Sequence, residues 1–411
     1  MCSGVRFRVA HGSLLVREAA NEPLRSRVPP DKDNSLNRES LKRITSGGEY
    51  LPEVDGLRFV AIVSVILYHV FVQSQLFWIW QGVPGILEHF RRGVELFFVI
   101  SGFILALPFA RQHLQGARPV RLKQYFYRRL TRLEPPYILI VCFRAVLWMA
   151  ATRLVGRILV HLFWTLLYLH NVRYGLPSSI HIVAWTLEVE VQFYILAPVF
   201  AMGYRMRGRW LRRGLLMLVM LGAGLYQVSH FTLYSRPGLS LLNWGQYFLA
   251  GMLLADFYLC DLPALPSSYL WDGISLAAWM GIFLLPTQAA HYLMPFLCVA
   301  AYVAAFKGKL FPKFLRIEWV SIIGGMCYSL YLTHPMVLSV YEAAFRHLHW
   351  AILANRAVLV ALIYACTVPT VLVVGAFYFV LVERPCMRKD WPQRLALWFR
   401  QRLGQKMTEA G

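Results

Sequence analysis

From Val54 almost to the C-terminus, apolar runs of about 20 residues alternate with short polar stretches. That is the length a helix rising 1.5 Å per residue needs to cross a hydrocarbon core about 30 Å thick. Ten runs read as spans, near residues 55–75, 91–110, 133–151, 182–203, 214–230, 239–258, 269–287, 290–306, 319–340 and 357–382. Ile158–His170 is apolar but only thirteen residues long, so it reads as a re-entrant or interfacial piece. The pattern predicts an all-α fold, a polytopic transmembrane helix bundle of about ten spans.

Charge sets the count and the orientation. The basic stretches are the N-terminal tail, Arg111–Arg132, Arg205–Arg213, Lys307–Arg316 and Arg384–Arg402. With ten spans and a cytosolic N-terminus, all of them fall on the cytosolic side, where Lys and Arg are retained. Counting Ile158–His170 as a span would move Arg205–Arg213 to the other side. Both termini are therefore expected in the cytosol. The expected organisation is a disordered cytosolic tail over 1–47, a transmembrane domain over 48–386 and a basic cytosolic tail over 387–411. The first of these is polar and lacks the apolar core of a secretory signal.

Composition agrees. Of 411 residues, 58% are apolar and 15% charged, and mean hydropathy is +0.49, too oily for a soluble domain of this length. A net charge of +21 would suggest a nucleic-acid partner in a soluble protein. Here the cations sit between spans and no aromatic-basic module stands apart, so nucleic acid is not an expected partner. The seven cysteines form no CxxC pair and lie mostly within apolar runs, as small buried hydrophobes do. No HExxH, Gly-x-Ser-x-Gly or Walker loop is present, which disfavours a metalloprotease, a serine hydrolase and an ATP-driven pump, and no metal site is expected.

Polar residues inside spans are the informative ones, since a charge in mid-membrane costs about 2.5–3.5 kcal/mol on insertion scales. In the first span Arg58 and His69 are eleven residues apart, which places them on one helix face about 16 Å apart along the axis. Asp55 lies one turn before Arg58 and can pair with it. Arg129 and Arg132 share a face before the third span, an arrangement suited to holding phosphate groups or to ordinary anchoring at the membrane surface. In the second span Ser101 and Gly102 read as small residues for close helix packing. The fourth span opens with His181, Trp185, Glu188 and Gln192 on one helical face and Glu190 on another. The ninth carries His334 followed by Pro335, which can bend the helix.

In order, these segments resemble the acyltransferase family 3 membrane proteins, from about Tyr50 to Pro385. Arg58-x10-His69 resembles that family's first-span signature. Gly93-Val94-Glu95-Leu96-Phe97-Phe98-Val99-Ile100-Ser101-Gly102-Phe103 is similar to its second motif, with Glu95 where Asp is usual. Arg129-x-x-Arg132 with Pro136-Tyr137, Trp185-Thr186-Leu187 with Glu190 and Phe193-Tyr194, Tyr328-Ser329-Leu330-Tyr331-Leu332 with His334, and Glu383-Arg384-Pro385 are similar to the later ones. Thr186 stands for Ser, Val191 for a common Glu, and Glu188 is an extra acid.

The resemblance implies an O-acyltransferase of the bacterial inner (plasma) membrane. It would move an acyl group, acetyl in the simplest case, from acyl-CoA to a hydroxyl of a carbohydrate or glycolipid. No cofactor would be bound permanently, and acyl-CoA would be a donor substrate. Arg129 and Arg132 would hold the coenzyme A phosphates, with Arg58 nearby. His69 would act as general base or acyl carrier, and Glu190 is preferred to Glu188 as its catalytic partner. Glu188, His181, Trp185 and His334 would contact substrate. The competing readings are a transporter or flippase for a lipid-linked sugar, a non-catalytic membrane scaffold, and acylation of a small molecule such as a macrolide.

Overall fold

The computed structural model describes residues 38–44, 50–73, 86–230, 232, 234–348, 356–388 and 390–394, and among them there is no strand. The principal helices are α1 (Pro52–Gln73), α2 (Gly93–Leu114), α3 (Leu122–Thr152), α4 (Val155–Leu166), α5 (Ala184–Phe200), α6 (Arg209–His230), α7 (Leu241–Cys260), α8 (Tyr269–Leu284), α9 (Thr287–Lys307), α10 (Glu318–Gly325), α11 (Cys327–Leu348) and α12 (Arg356–Tyr378). Among the described residues, six helical stretches, belonging to α1, α2, α3, α6, α9 and α12, are long and apolar enough to cross a membrane. The chain is a multi-pass helical membrane bundle.

The remaining four expected spans are also helical but differ in form. α5 has 17 residues and α8 has 16, while α7 carries buried Asn243, Gln246 and Asp256. The expected span 319–340 is divided at Met326 into α10 and α11. α4 has 12 residues, about 18 Å of helix, too short to cross. It buries Ile158 and Thr165 and leaves Leu159, Val160 and Phe163 exposed, as a half-submerged piece packed on α3 does.

Burial sorts centre from rim. In the most apolar stretch of Leu87–Leu114, which contains α2, 72% of residues are buried, against 22% in that of Val360–Cys386, which includes most of α12. The most extensive helix contact is α2 on α7. Gly102 and Gly251 make it possible, because a Cβ on either would overlap the backbone of the opposing helix. Small residues let membrane helices meet this closely, where packing rather than hydrophobicity drives association. α10 is pressed against α1 in the same way, with Gly324 on the backbone of Asp55 and Phe59. That contact fixes the Arg58 end of α1.

Parts of both expected tails make contacts with the helices. Residues 38–44, expected within a disordered segment, include a helical turn, Arg38–Leu41, and make defined contacts: Arg38 over the Trp319 ring and Lys42 with Glu39 and Glu318. The rest of 1–47 lies outside the described residues, as does Cys2. In the basic tail, Trp391 donates to the Thr131 carbonyl (3.0 Å). Pro135 has no N–H to satisfy that carbonyl within α3, so the proline pair creates the acceptor that docks the tail. Beyond residue 394 the tail is outside the described residues.

Candidate active site

A cavity of ≈ 270 Å³ lies among α1, α2, α3, α5 and α11, close to the basic end of α3. Five arginines line it: Arg43, Arg58, Arg128, Arg129 and Arg132. α1 supplies Arg58, whose Nη1 donates to Asp55 Oδ1 (2.7 Å), as the one-turn spacing predicts. Arg43, from the segment before α1, donates to the same oxygen (2.6 Å). Arg129 lies over the Tyr194 ring, 5.4 Å from its centroid. The Nε of Arg132 is buried and meets no acceptor. Glu383 also lines the cavity and accepts from the N–H (3.0 Å) and hydroxyl (2.6 Å) of Ser329.

Glu190 faces this cavity, and Ser101 Oγ donates to its Oε1 (2.5 Å). A second chamber of ≈ 400 Å³ is lined largely by apolar groups of α3 and α5 and shares Arg129, Glu190, Tyr194 and Tyr328 with the first. Glu188 lines neither. It is fully buried and accepts the backbone N–H of Asn171 (2.7 Å), tying down the short helix His170–Tyr174. One residue of helix turns the side chain by about 100°, so the two acids, two apart on α5, serve opposite surroundings.

His69 is half-buried on α1. Its Nδ1 lies 2.9 Å from the Val65 carbonyl, so Nδ1 carries the hydrogen and Nε2 the lone pair. Its ring centroid is 4.9 Å from that of His334. His334 repeats the arrangement, with Nδ1 3.2 Å from the Leu330 carbonyl and Nε2 buried without a partner. The pair does not line the arginine cavity. Tyr331 stands at the boundary: it lines the cavity, its ring lies 5.6 Å from His334, and its hydroxyl is 2.7 Å from Thr186 Oγ1.

His181 and Trp185 also lie outside both cavities. The helical face drawn through His181 does not exist, because α5 starts at Ala184. His181 sits fully buried in the turn before it, both ring nitrogens without partners. Trp185 packs on Trp244, with centroids 5.4 Å apart. Gln192 accepts the N–H of Leu241 (2.8 Å) at the start of α7. Among the described residues, no three His, Cys, Asp or Glu side chains gather as metal ligands.

Residues 51–378 match the family defined by the Acyltransferase domain, Acyl_transf_3. The chain belongs to that family. Among curated proteins, the peptidoglycan O-acetyltransferase OatA of Listeria monocytogenes is 27% identical over 343 residues, covering 73% of this chain and 51% of the relative. The O-acetyltransferase OatA of Staphylococcus aureus is 27% identical over 340 residues, covering 74% and 54%. The chain thus spans about half the length of these curated relatives. No solved structure shows significant similarity.

In this member of the family the structure brings Arg58, Arg129, Arg132 and Glu190 around one cavity and pairs His69 with His334 beside it. Sequence reasoning passed over four groups at the site. Ser101 was read as a packing residue, yet Gly102 does the packing and Ser101 holds Glu190. Tyr331 and Glu383 appear in the sequence only as parts of motifs with no assigned role. Arg43 carries no sequence signal, because it lies in a polar segment rich in arginine.

Proposed function

We propose that this acyltransferase takes an acetyl group from acyl-CoA at the cytosolic face of the bacterial inner membrane and transfers it to a hydroxyl of a cell-envelope carbohydrate. The observation that carries this reading is the arginine-lined cavity ending on Glu190, with the His69–His334 pair one tyrosine beyond it. Guanidinium groups hold phosphate oxygens with paired hydrogen bonds, so Arg129 and Arg132 are assigned to the phosphates of the donor. These arginines lie at the basic end of α3, which the distribution of Lys and Arg assigns to the cytosol. The pantetheine arm would run past Tyr331 towards the histidines.

With Nδ1 committed to the Val65 carbonyl, His69 Nε2 is the atom that accepts a proton. The acceptor hydroxyl oxygen attacks the thioester carbonyl carbon while its proton passes to Nε2. The C–S bond then breaks, and the thiolate of coenzyme A leaves, taking the proton from His69 Nε2 and restoring the neutral base. Glu190, steadied by Ser101, orients the acceptor hydroxyl. His334 packs against His69 and holds its ring in place. The carbohydrate acceptor is supported by the curated relatives, both O-acetyltransferases, one of peptidoglycan.

The test is transfer in purified membranes. Radiolabelled acetyl-CoA is supplied with a glycan-bearing membrane extract to wild type, His69→Ala and Arg129→Ala. Label in the glycan with wild type and not with His69→Ala supports the assignment. Equal labelling by all three overturns the site. If wild type neither binds nor turns over any acyl-CoA, the donor assignment fails.

A further inference from the structure

The family match begins at residue 51, yet one arginine of the cavity comes from before it. Arg43 reaches the cavity over the open side of α10, its stem lying across Gly325. The segment that carries it is clamped from the other end of the chain. Arg384, also beyond the family match, donates to the Lys42 carbonyl (3.2 Å) and the Glu39 carbonyl (3.0 Å). Lys42 adds ion pairs to Glu39 (2.7 Å) and Glu318 (3.2 Å).

The charges around Arg43 do not balance. Asp55 Oδ1 accepts from both Arg43 and Arg58, and one carboxylate cannot neutralise two guanidiniums. Including Asp55, three carboxylates face the five arginines of the cavity. The Nε of Arg43 is buried and meets no acceptor. A group with a donor left over, beside surplus positive charge, is arranged for an anion that arrives from outside.

We infer that residues 38–44 form a cap over the donor site and that Arg43 is a further ligand for the phosphates of the incoming nucleotide thioester. This rests on the donor assignment proposed above and adds to it a residue outside the matched family domain. Arg384 is a positioning residue, since it holds the cap's carbonyls and acts through Arg43. The cap gives this chain a means of preferring a phosphate-bearing donor over a bare thioester arm.

The experiment uses the full-length protein in detergent and compares binding of acetyl-CoA with that of S-acetylpantetheine, which has the same thioester arm without phosphates. Arg43→Ala is expected to weaken acetyl-CoA binding about tenfold, the scale of one hydrogen bond to a charged group, and to leave S-acetylpantetheine unchanged. Arg43→Lys should restore part of the loss, and Arg384→Ala should show a smaller loss of the same kind. Arg43→Ala binding acetyl-CoA like wild type while Arg129→Ala does not would overturn this inference alone. Equal loss for both ligands would make Arg43 a structural residue and overturn it as well. If wild type binds acetyl-CoA no better than S-acetylpantetheine, the phosphate-binding role of the whole cavity fails, and Arg43 with it.

Discussion

Two clusters of arginine and carboxylate in this protein use the same residue types to opposite ends. At the junction of α6 and α7, Arg212 and Arg213 both bind Asp256, the Arg213 ion pair measuring 2.7 Å, and Arg213 also reaches Asp261. Arg213 and Asp256 are at most 1% exposed, Arg209 adds a pair to Asp261 (3.7 Å), and no buried side-chain nitrogen or oxygen of Arg212, Arg213 or Asp256 lacks a partner. Around α1 and α3, five arginines face fewer carboxylates, donors are left without acceptors, and space remains between them. A buried charge costs several kcal/mol unless it is paired. The first cluster meets that cost internally and is finished once the chain folds. The second leaves it open, as the proposed anionic donor would require. Unpartnered donors and free volume, rather than the presence of arginine, distinguish the second cluster from a structural staple.

The contrast is tested most severely at its chemical end. His69→Ala should lower acetyl transfer roughly 10²–10⁴-fold, the range for losing a general base, with acetyl-CoA binding retained. A variant that still transfers at more than a tenth of the wild-type rate would remove His69 from the reaction. In that paired cluster, Asp256→Ala leaves Arg212 without a carboxylate and Arg213 with Asp261 alone, and should cost roughly 3–5 kcal/mol. Thermal unfolding in detergent would show this, and the protein that remains folded should keep its specific activity. If stability held and activity fell instead, the two clusters would have exchanged roles.

Smaller effects sharpen the comparison. Arg129→Ala should raise KM for acetyl-CoA about 10–100-fold, as expected for losing a hydrogen bond between charged groups. Its kcat should change less, and Arg129→Lys should recover only part, since an ammonium cannot form the paired contact. A change confined to kcat would argue against phosphate binding there. Ser101→Ala should lower kcat only about fivefold, the worth of roughly 1 kcal/mol of hydrogen bonding. Ser101→Ala with wild-type kcat would mean that Glu190 needs no support from α2.

Much of the architecture could be read from the chain itself. A run of about 20 apolar residues has few alternatives to a helix in lipid, because every backbone polar group must be satisfied within the segment. Helix existence and approximate boundaries therefore followed from hydropathy, and the shortness of Ile158–His170 matches the 12 residues of α4. Pairings within one turn were equally legible, as Asp55 with Arg58 shows. Recurring motifs placed Glu190 above Glu188, against the helical-face argument, which failed because α5 begins after His181 rather than before it. A wheel drawn on a sequence is only as good as the helix start it assumes.

What tertiary structure alone decided is which helices meet. The sequence by itself determined a helical membrane protein, its basic end, and the family whose motifs it carries, because hydrophobic length, local charge spacing and short motifs are properties of contiguous residues. It could not show that His69 on α1 meets His334 on α11, that Ser101 on α2 holds Glu190 on α5, or that Arg384, from the other end of the chain, holds the segment that carries Arg43. Those contacts join residues separated by tens to hundreds of positions, and they depend on helix crossings set by backbone contact at Gly102, Gly251 and Gly324. In lipid, where burial of apolar surface does not discriminate one helix partner from another, such steric fits choose the neighbours, and the active site is assembled from the choice.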